Sequence, residues 1–275
     1  MRKLAWTAWA LAMLAVAPDL SARESSRAKE EPVRNVIYMI GDGMGLTHVS
    51  MMMLEEGYRP TSFDRSQNVA LITTYSANNR VTDSAAAGTA LASGRKTNNG
   101  MLGMTPDGET FESMMEKAME EGWKAGLVVT VYLQHATPAA FYAHVPSRND
   151  LDEISEQFVE SGVDVAFGGG KKFLAAERGD GKTLIDELKA KDYRVVYDLQ
   201  EADAVDQGRI VGLFSEEYMP TVLNGRDENY LCDATKKALE ILTNNAGKKG
   251  GFLLMVEGSQ IDSEAHANNA QGILA

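Results

Sequence analysis

Seven short apolar runs, mostly separated by stretches of helical pattern, constrain the fold of this chain more than any other feature. The runs cover residues 35–40, 69–75, 126–131, 163–167, 194–197, 210–214 and 251–256. Each is too short for a buried helix and carries the near-continuous apolar character of a strand covered on both faces. Between several of them, residues 46–56, 84–93, 110–121, 151–161, 183–191 and 228–244 carry helical patterns. Strands alternating with helices predict an α/β three-layer sandwich: a mostly parallel central sheet with helices on both sides. In such sheets ligands collect beyond the carboxyl ends of the strands. The polar residues that directly follow each apolar run are therefore where chemistry is to be sought.

The N-terminus reads differently. Arg2 and Lys3 make the first three residues basic, residues 4–17 are mostly apolar, and small residues recur at Ala15, Ala17 and Ala22. This is the layout of a secretory signal peptide, and its apolar stretch is too short for a comfortable membrane span. The expectation is a signal at 1–22, cleaved after Ala17 or Ala22, and a single α/β domain at 23–275, exported to the periplasm or secreted without a transmembrane anchor. A net charge of −12 fits a soluble exported protein and argues against nonspecific nucleic-acid binding. Cys232 is the only cysteine, so no intrachain disulfide and no four-cysteine zinc site can form. A metal here must be held by carboxylates, hydroxyls and the four histidines, His48, His135, His144 and His266.

The last apolar run leads straight into such ligands. Glu257 ends it, and Asp262 and His266 follow four residues apart, on one face of a helical turn and able to share an ion. After the first run comes Gly41-Asp-Gly-Met-Gly45, a glycine-rich turn with an acid inside it. A carboxylate facing a phosphate repels it unless a cation lies between them, so Asp42 reads either as a metal ligand or as a cap of the helix that follows. Thr82, Asp83 and Ser84 precede an alanine-rich helix. On these residues alone a cap is the simpler reading, although a serine at a helix N-terminus also faces amides that favour an attacking alkoxide. Thr137 precedes Pro138, which keeps its backbone extended and its hydroxyl displayed. Arg148 offers a planar fork for two phosphate oxygens, or an ion pair with Asp150, Asp152 or Glu153. His48 and His144 read as structural, and Met51, Met52 and Met53 as core packing. Residues 168–172 fail the P-loop pattern, since Val165 stands where the first glycine belongs and Lys172 replaces the serine or threonine.

Together these motifs resemble the alkaline phosphatase family. The matching segments are IGDGMG at 40–45, VTDSAAAGTALASGRKTNNGMLG at 81–103, HATPAAFYAHVPSR at 135–148, FGGG at 167–170 and MVEGSQIDSEAH at 255–266, in the family's order. The resemblance implies a phosphomonoesterase with two zinc ions and one magnesium, acting on small phosphate monoesters and assembled as a homodimer. By match to the motifs, the catalytic set is Ser84 as nucleophile, Arg148 as phosphoryl clamp and Asp83 as the residue that positions both. Asp42 would bridge a zinc and the magnesium, with Thr137 and Glu257 completing the protein ligands of the latter. Ser84 joins Asp42 at the serine-side zinc, and Asp262 and His266 belong to the other zinc.

Three departures from the family pattern carry expectations. His135 stands where the best-known bacterial members carry aspartate, which places it in the second shell of the third metal and leaves that ion's identity open. Ser263 replaces a larger residue that reaches towards phosphate in many members. The Asp-His pair and late histidine that complete the family's zinc sites do not occur by Ala275, so the chain reads as an N-terminal fragment, poorly active alone. Two other readings stand beside this one: a related metal-dependent phosphodiesterase or phosphonate hydrolase, and a noncatalytic phosphate- or metal-binding exported protein.

Overall fold

The computed structural model describes residues 32–275. The expected signal peptide at 1–22 lies outside the described residues. In chain order the elements are β1 (Asn35–Gly41), α1 (Leu46–Glu55), α2 (Ser84–Ser93), α3 (Met114–Glu120), β2 (Lys124–Tyr132), α4 (Ala136–Ala139), α5 (Leu151–Glu160) and β3 (Val165–Gly169). There follow α6 (Lys171–Leu174), α7 (Leu184–Ala190), β4 (Tyr193–Val196), α8 (Leu199–Asp203), β5 (Arg209–Leu213), α9 (Tyr230–Ala246), β6 (Phe252–Gly258), α10 (Gln260–His266) and α11 (Ala270–Leu274). The six strands form one sheet in the order β1-β6-β2-β3-β5-β4, and every pairing in it is parallel. No helix among the described residues is long and apolar enough to cross a membrane.

Strand alternation sorts the core into two halves, because successive side chains point to opposite faces. Leu127, Val129, Val131, Val211, Leu213, Leu253 and Met255 face one side and pack against α2, α3, α5 and α7. Val128, Val165, Phe167, Ile210, Leu254 and Val256 face the other and are covered by α8 and α9. In α9, Ala234, Ala238, Ile241 and Leu242 form the buried stripe, at the three- and four-residue spacing of a helix face. The result is the helix–sheet–helix sandwich that the alternation of patterns predicts.

Two expectations fail at the β1 side. Residues 69–75 form no strand: Val69 and Leu71 are 88% and 80% exposed, and no partner strand lies beside them among the described residues. Their composition supplies strand propensity, but a strand also needs a neighbour to accept its backbone hydrogen bonds. Met51, Met52 and Met53 are half-buried rather than core, in a helix α1 that buries no residue fully. β1 itself is an edge strand. Val36, Tyr38 and Ile40 lean on the core while Met39, on the other face, is 73% exposed.

The register places the chemistry. Ile40 lies opposite Glu257 and Gly41 opposite Gly258 across β1 and β6, while Val129 of β2 lies opposite Glu257 from the other side. The carboxyl ends of three adjacent strands thus deliver Asp42, Glu257, and His135 with Thr137 of α4 to one place, Thr137 being helical there rather than extended as the proline after it predicts.

Candidate active site

Asp83 organises the site from the backbone outward. It is the N-cap of α2, its Oδ1 accepting from the Ala86 amide at 2.9 Å. Its Oδ2 accepts from the Gly100 amide at 3.0 Å and from Arg148 Nη1 at 3.3 Å. Because Asp83 does the capping, Ser84 becomes the first helical residue and its hydroxyl is free. That hydroxyl donates to the Asp42 carboxylate, at 3.1 Å from Oδ2 and 3.3 Å from Oδ1. The cap at Thr82–Ser84 is thus Asp83, which leaves the Ser84 side chain to face Asp42. Small residues bring α2 close to α4: a Cβ on Gly88 would stand 3.1 Å from the Ala140 Cβ and 3.4 Å from the Thr137 Cα.

Arg148 pairs with Asp83, not with the acids at 150, 152 and 153. Its backbone amide donates to the Gly100 carbonyl at 2.7 Å, so Gly100 ties the arginine through its carbonyl and the aspartate through its amide. Arg148 Nη2 lies 3.2 Å from His135 Nε2. Since the guanidinium can only donate, Nε2 is an acceptor there. Burial, reinforced by the Arg148 charge, pushes the His135 imidazole down to about 4, so it is neutral near pH 7 and carries its proton on Nδ1.

Asp42, His135 and Glu257 form the heart of a candidate cation site. One ligand atom from each lies within 4.8 Å of the others. Glu257 is fully buried with both carboxylate oxygens lacking a hydrogen-bond partner, and His135 Nδ1 is buried and unpartnered as well. Burial first, then the charges of Asp42 and Asp262, push the Glu257 carboxyl up to about 8. The hydroxyls of Ser259 and Thr137 oppose that shift without making a hydrogen bond of ordinary geometry to either oxygen. Asp42 is also raised, by burial and then by Asp262, against the lowering influence of Ser84 and Arg148. Buried carboxylate oxygens without hydrogen-bond partners, beside a second crowded carboxyl, suit a divalent ion. His135, expected in the second shell, lies beside Asp42 and Glu257.

Asp262 and His266 sit on successive turns of α10 with Asp262 Oδ2 and His266 Nε2 3.5 Å apart. Gly43 explains how Asp262 comes so near Asp42: its φ is +65°, and a Cβ there would lie 2.6 Å from Asp262 Oδ1. Asp42, Asp83, Ser84, Thr137, Arg148, Asp262 and His266 all line one cavity of about 860 Å³, together with His135 and Ser263, while Glu257 lies buried out of its lining. His48 and His144 lie apart from it. His48 Nδ1 accepts from the Gly45 amide at the start of α1, and His144 bridges Glu116 Oε1 at 2.7 Å and the Gly103 carbonyl at 2.9 Å. Lys171 and Lys172, at the start of α6, pair with Glu216 and Glu217 at the surface.

Three contributors escape sequence reasoning. Asn99 accepts from the Asp83 amide at 3.2 Å and donates to the Val81 carbonyl at 3.0 Å, and Gly100 makes the contacts above. Both fall within the recognised segment 81–103, but spacing assigns them no role. Tyr218 lines the cavity from a loop with no motif at all.

A parallel α/β sheet whose strand ends gather carboxylates, an imidazole, a serine and an arginine in one cavity defines a class built to hold cations beside an oxyanion. A family profile described as alkaline phosphatase matches residues 33–275, and the chain belongs to that family. Alkaline phosphatase 4 of Bacillus subtilis is 37% identical over 94% of this chain and 58% of its own length. The alkaline phosphatase of Escherichia coli K12 is 31% identical over 92% of this chain and 66% of its own length. The chain thus spans less than two thirds of these curated relatives. Among solved structures, the alkaline phosphatase of the Antarctic bacterium TAB5 superposes with a TM-score of 0.81 at 35% identity, over 87% of this chain and 69% of that one. A histidine-to-glutamate variant of the TAB5 enzyme has Mg bound in its M3 site.

Proposed function

We propose that this polypeptide belongs to an exported phosphomonoesterase that works through a phosphoserine at Ser84, with two zinc ions and one magnesium. The observation that carries the reading is the Ser84 hydroxyl, bonded to the Asp42 carboxylate at 3.1 Å in the cavity that Arg148 also lines. Family membership supports the activity class, and small phosphate monoesters are the substrates it suggests.

Arg148, held by Asp83 and Gly100, presents two donors to the phosphoryl oxygens. Ser84 Oγ, at the start of α2, bonds to phosphorus as the bond to the leaving alcohol breaks. Water then breaks the Oγ–phosphorus bond and inorganic phosphate departs. Two in-line displacements give net retention at phosphorus. Asp42, Thr137 and Glu257 would hold the third metal with His135 in its second shell, Asp42 and Ser84 the serine-side zinc, and Asp262 and His266 the other. When bound, these ions supply Lewis-acid stabilisation of the attacking and leaving oxygens. Each zinc position has two protein ligands within these residues, fewer than a tight site takes, so weak zinc binding by the 275-residue polypeptide is expected. A homodimer is the assembly we propose by family likeness.

The test is acid-quenched labelling with radioactive inorganic phosphate in zinc and magnesium, with the modified residue located by mass spectrometry. Label on Ser84, abolished in Ser84→Ala, is expected. Hydrolysis of monoesters by the Ser84→Ala protein, or faster turnover of diesters than of monoesters by the unmodified chain, refutes the reading.

A further inference from the structure

One wall of the cavity is aromatic, and neither Ser84, Arg148 nor the cation donors require it to be. Tyr218 lies on the loop between β5 and α9, 49% exposed, and lines the same cavity as Ser84 and Arg148. Its ring meets Tyr132 edge-on, with centroids 5.1 Å apart and planes at 85°, and lies 6.2 Å from the His135 ring. Tyr132 stands edge-on to His135 and tilted against Phe173, both at 5.1 Å. A chain of rings thus runs from Phe173 to the imidazole that touches Arg148.

The loop that carries Tyr218 is fixed. The amides of Gly170 and Lys171 both donate to the Ser215 carbonyl at 3.1 Å, and Lys172 donates to Glu216 at 3.0 Å. The ion pairs of Lys171 with Glu216 and of Lys172 with Glu217 add two further ties, at 2.7 and 2.8 Å. The approach is so close that a Cβ on Gly169 would collide with the Glu217 carbonyl. An aromatic ring held at both backbone and ring edge keeps its exposed surface oriented before any ligand arrives, which lowers the ordering cost of binding. The phosphoryl group is provided for by Arg148 and the cation donors. What remains of a monoester is its alcohol part, and the cavity offers that part the side of a ring.

We propose that Tyr218 is a specificity-determining residue that contacts the leaving group and makes flat aromatic phosphomonoesters the preferred substrate class. This rests on the phosphomonoesterase reading above. Aromatic pairs in offset or edge-to-face contact favour a ring over a saturated group of similar size by about three- to tenfold.

The experiment measures binding of non-hydrolysed analogues to the full chain in zinc and magnesium by calorimetry, with phenylphosphonate, cyclohexylphosphonate and inorganic phosphate as probes. The unmodified chain is expected to prefer phenylphosphonate about three- to tenfold. Tyr218→Phe should keep that preference, Tyr218→Leu should bring the two organic probes to near parity, and phosphate affinity should stay constant throughout. A preference that survives in Tyr218→Leu, a chain that shows none to begin with, or a loss in phosphate affinity equal to that in phenylphosphonate affinity overturns the proposal. Failure of all three probes to bind overturns the phosphomonoesterase reading and this one with it, and is distinguishable because phosphate itself then gives no signal.

Discussion

Glu257→Gln should convert a strongly pH-dependent protein into a weakly dependent one. The carboxyl is fully buried, its oxygens lack hydrogen-bond partners, and it sits beside Asp42. Its pKa is pushed up to about 8 in the folded chain, from 4.5 ordinarily. Between those values the folded protein keeps a proton that the unfolded chain releases, so stability falls as pH rises. The slope is about 1.36 kcal/mol per pH unit, and the 3.5-unit interval amounts to about 5 kcal/mol lost by pH 8 relative to pH 4.5. Glutamine copies the neutral carboxyl in shape and cannot ionise. Urea unfolding in chelator at pH 5, 6.5 and 8 should show the two proteins similar at the lowest pH. The glutamine variant should then become the more stable, by several kcal/mol at the highest. Magnesium or zinc should shrink that gap, since a cation offsets the buried charge in the unmodified chain alone. A stability difference that stays constant from pH 5 to 8 would refute the reasoning.

Three other perturbations test separate parts of the site. Asp83→Ala removes the α2 cap and the Arg148 partner together, so urea unfolding should show a loss of about 1–3 kcal/mol, accompanied by weaker phosphate binding in titration calorimetry. Gly43→Ala places a Cβ against Asp262 at a positive φ. We expect a cost of about 1–2 kcal/mol and a measurable drop in zinc affinity by metal titration, whereas unchanged affinity would mean that Asp262 does not contribute a ligand there. His144 is raised by its bond to Glu116, and Glu116 is lowered with His144 as the leading favourable partner. The pair therefore stabilises the fold while the imidazole is charged and the carboxylate ionised. That contribution fades as pH rises through the folded histidine pKa or falls through that of the glutamate. His144→Gln should flatten both limbs of a melting-temperature profile, and an unaltered profile would count against the ion pair.

What the sequence made legible were features with local causes. The span of α2 follows from an acid before it and Gly94 after it in the left-handed conformation, and β2, β3 and β5 follow from apolar runs too short for buried helices. Residues 69–75 carry the same local signal and form no strand, because pairing is settled by a neighbour that composition does not reveal. Arg148 shows the same limit at the site. Three acids lie within five residues of it, yet its partner is Asp83, 65 positions away. The nearness of His135 to Asp42 and Glu257 arises only through the packing of three strand ends, which spacing along the chain does not reveal. Tyr218 belongs to no motif, and only the stapling of its loop to residues 170–172 brings its ring to the cavity.

The pairing of β1 with β6 has a consequence in time. Asn35 finds its partner at Phe252, 217 positions later (252 − 35), and within the described sheet β1 has no other neighbour. A ribosome adding roughly 5–20 residues per second takes about 10–40 s to cover that distance. Throughout that interval the first strand to be made is the one strand that cannot yet dock, and Asp42 at its end has no Glu257 to face. The sheet from β2 to β5 can assemble meanwhile from crossovers between nearby segments. The meeting of Asp42 with Glu257 therefore waits until β6 slides in between β1 and β2. Strand-closing contacts of such wide sequence separation fold slowly, so ligand binding should lag behind the appearance of secondary structure in a refolding experiment.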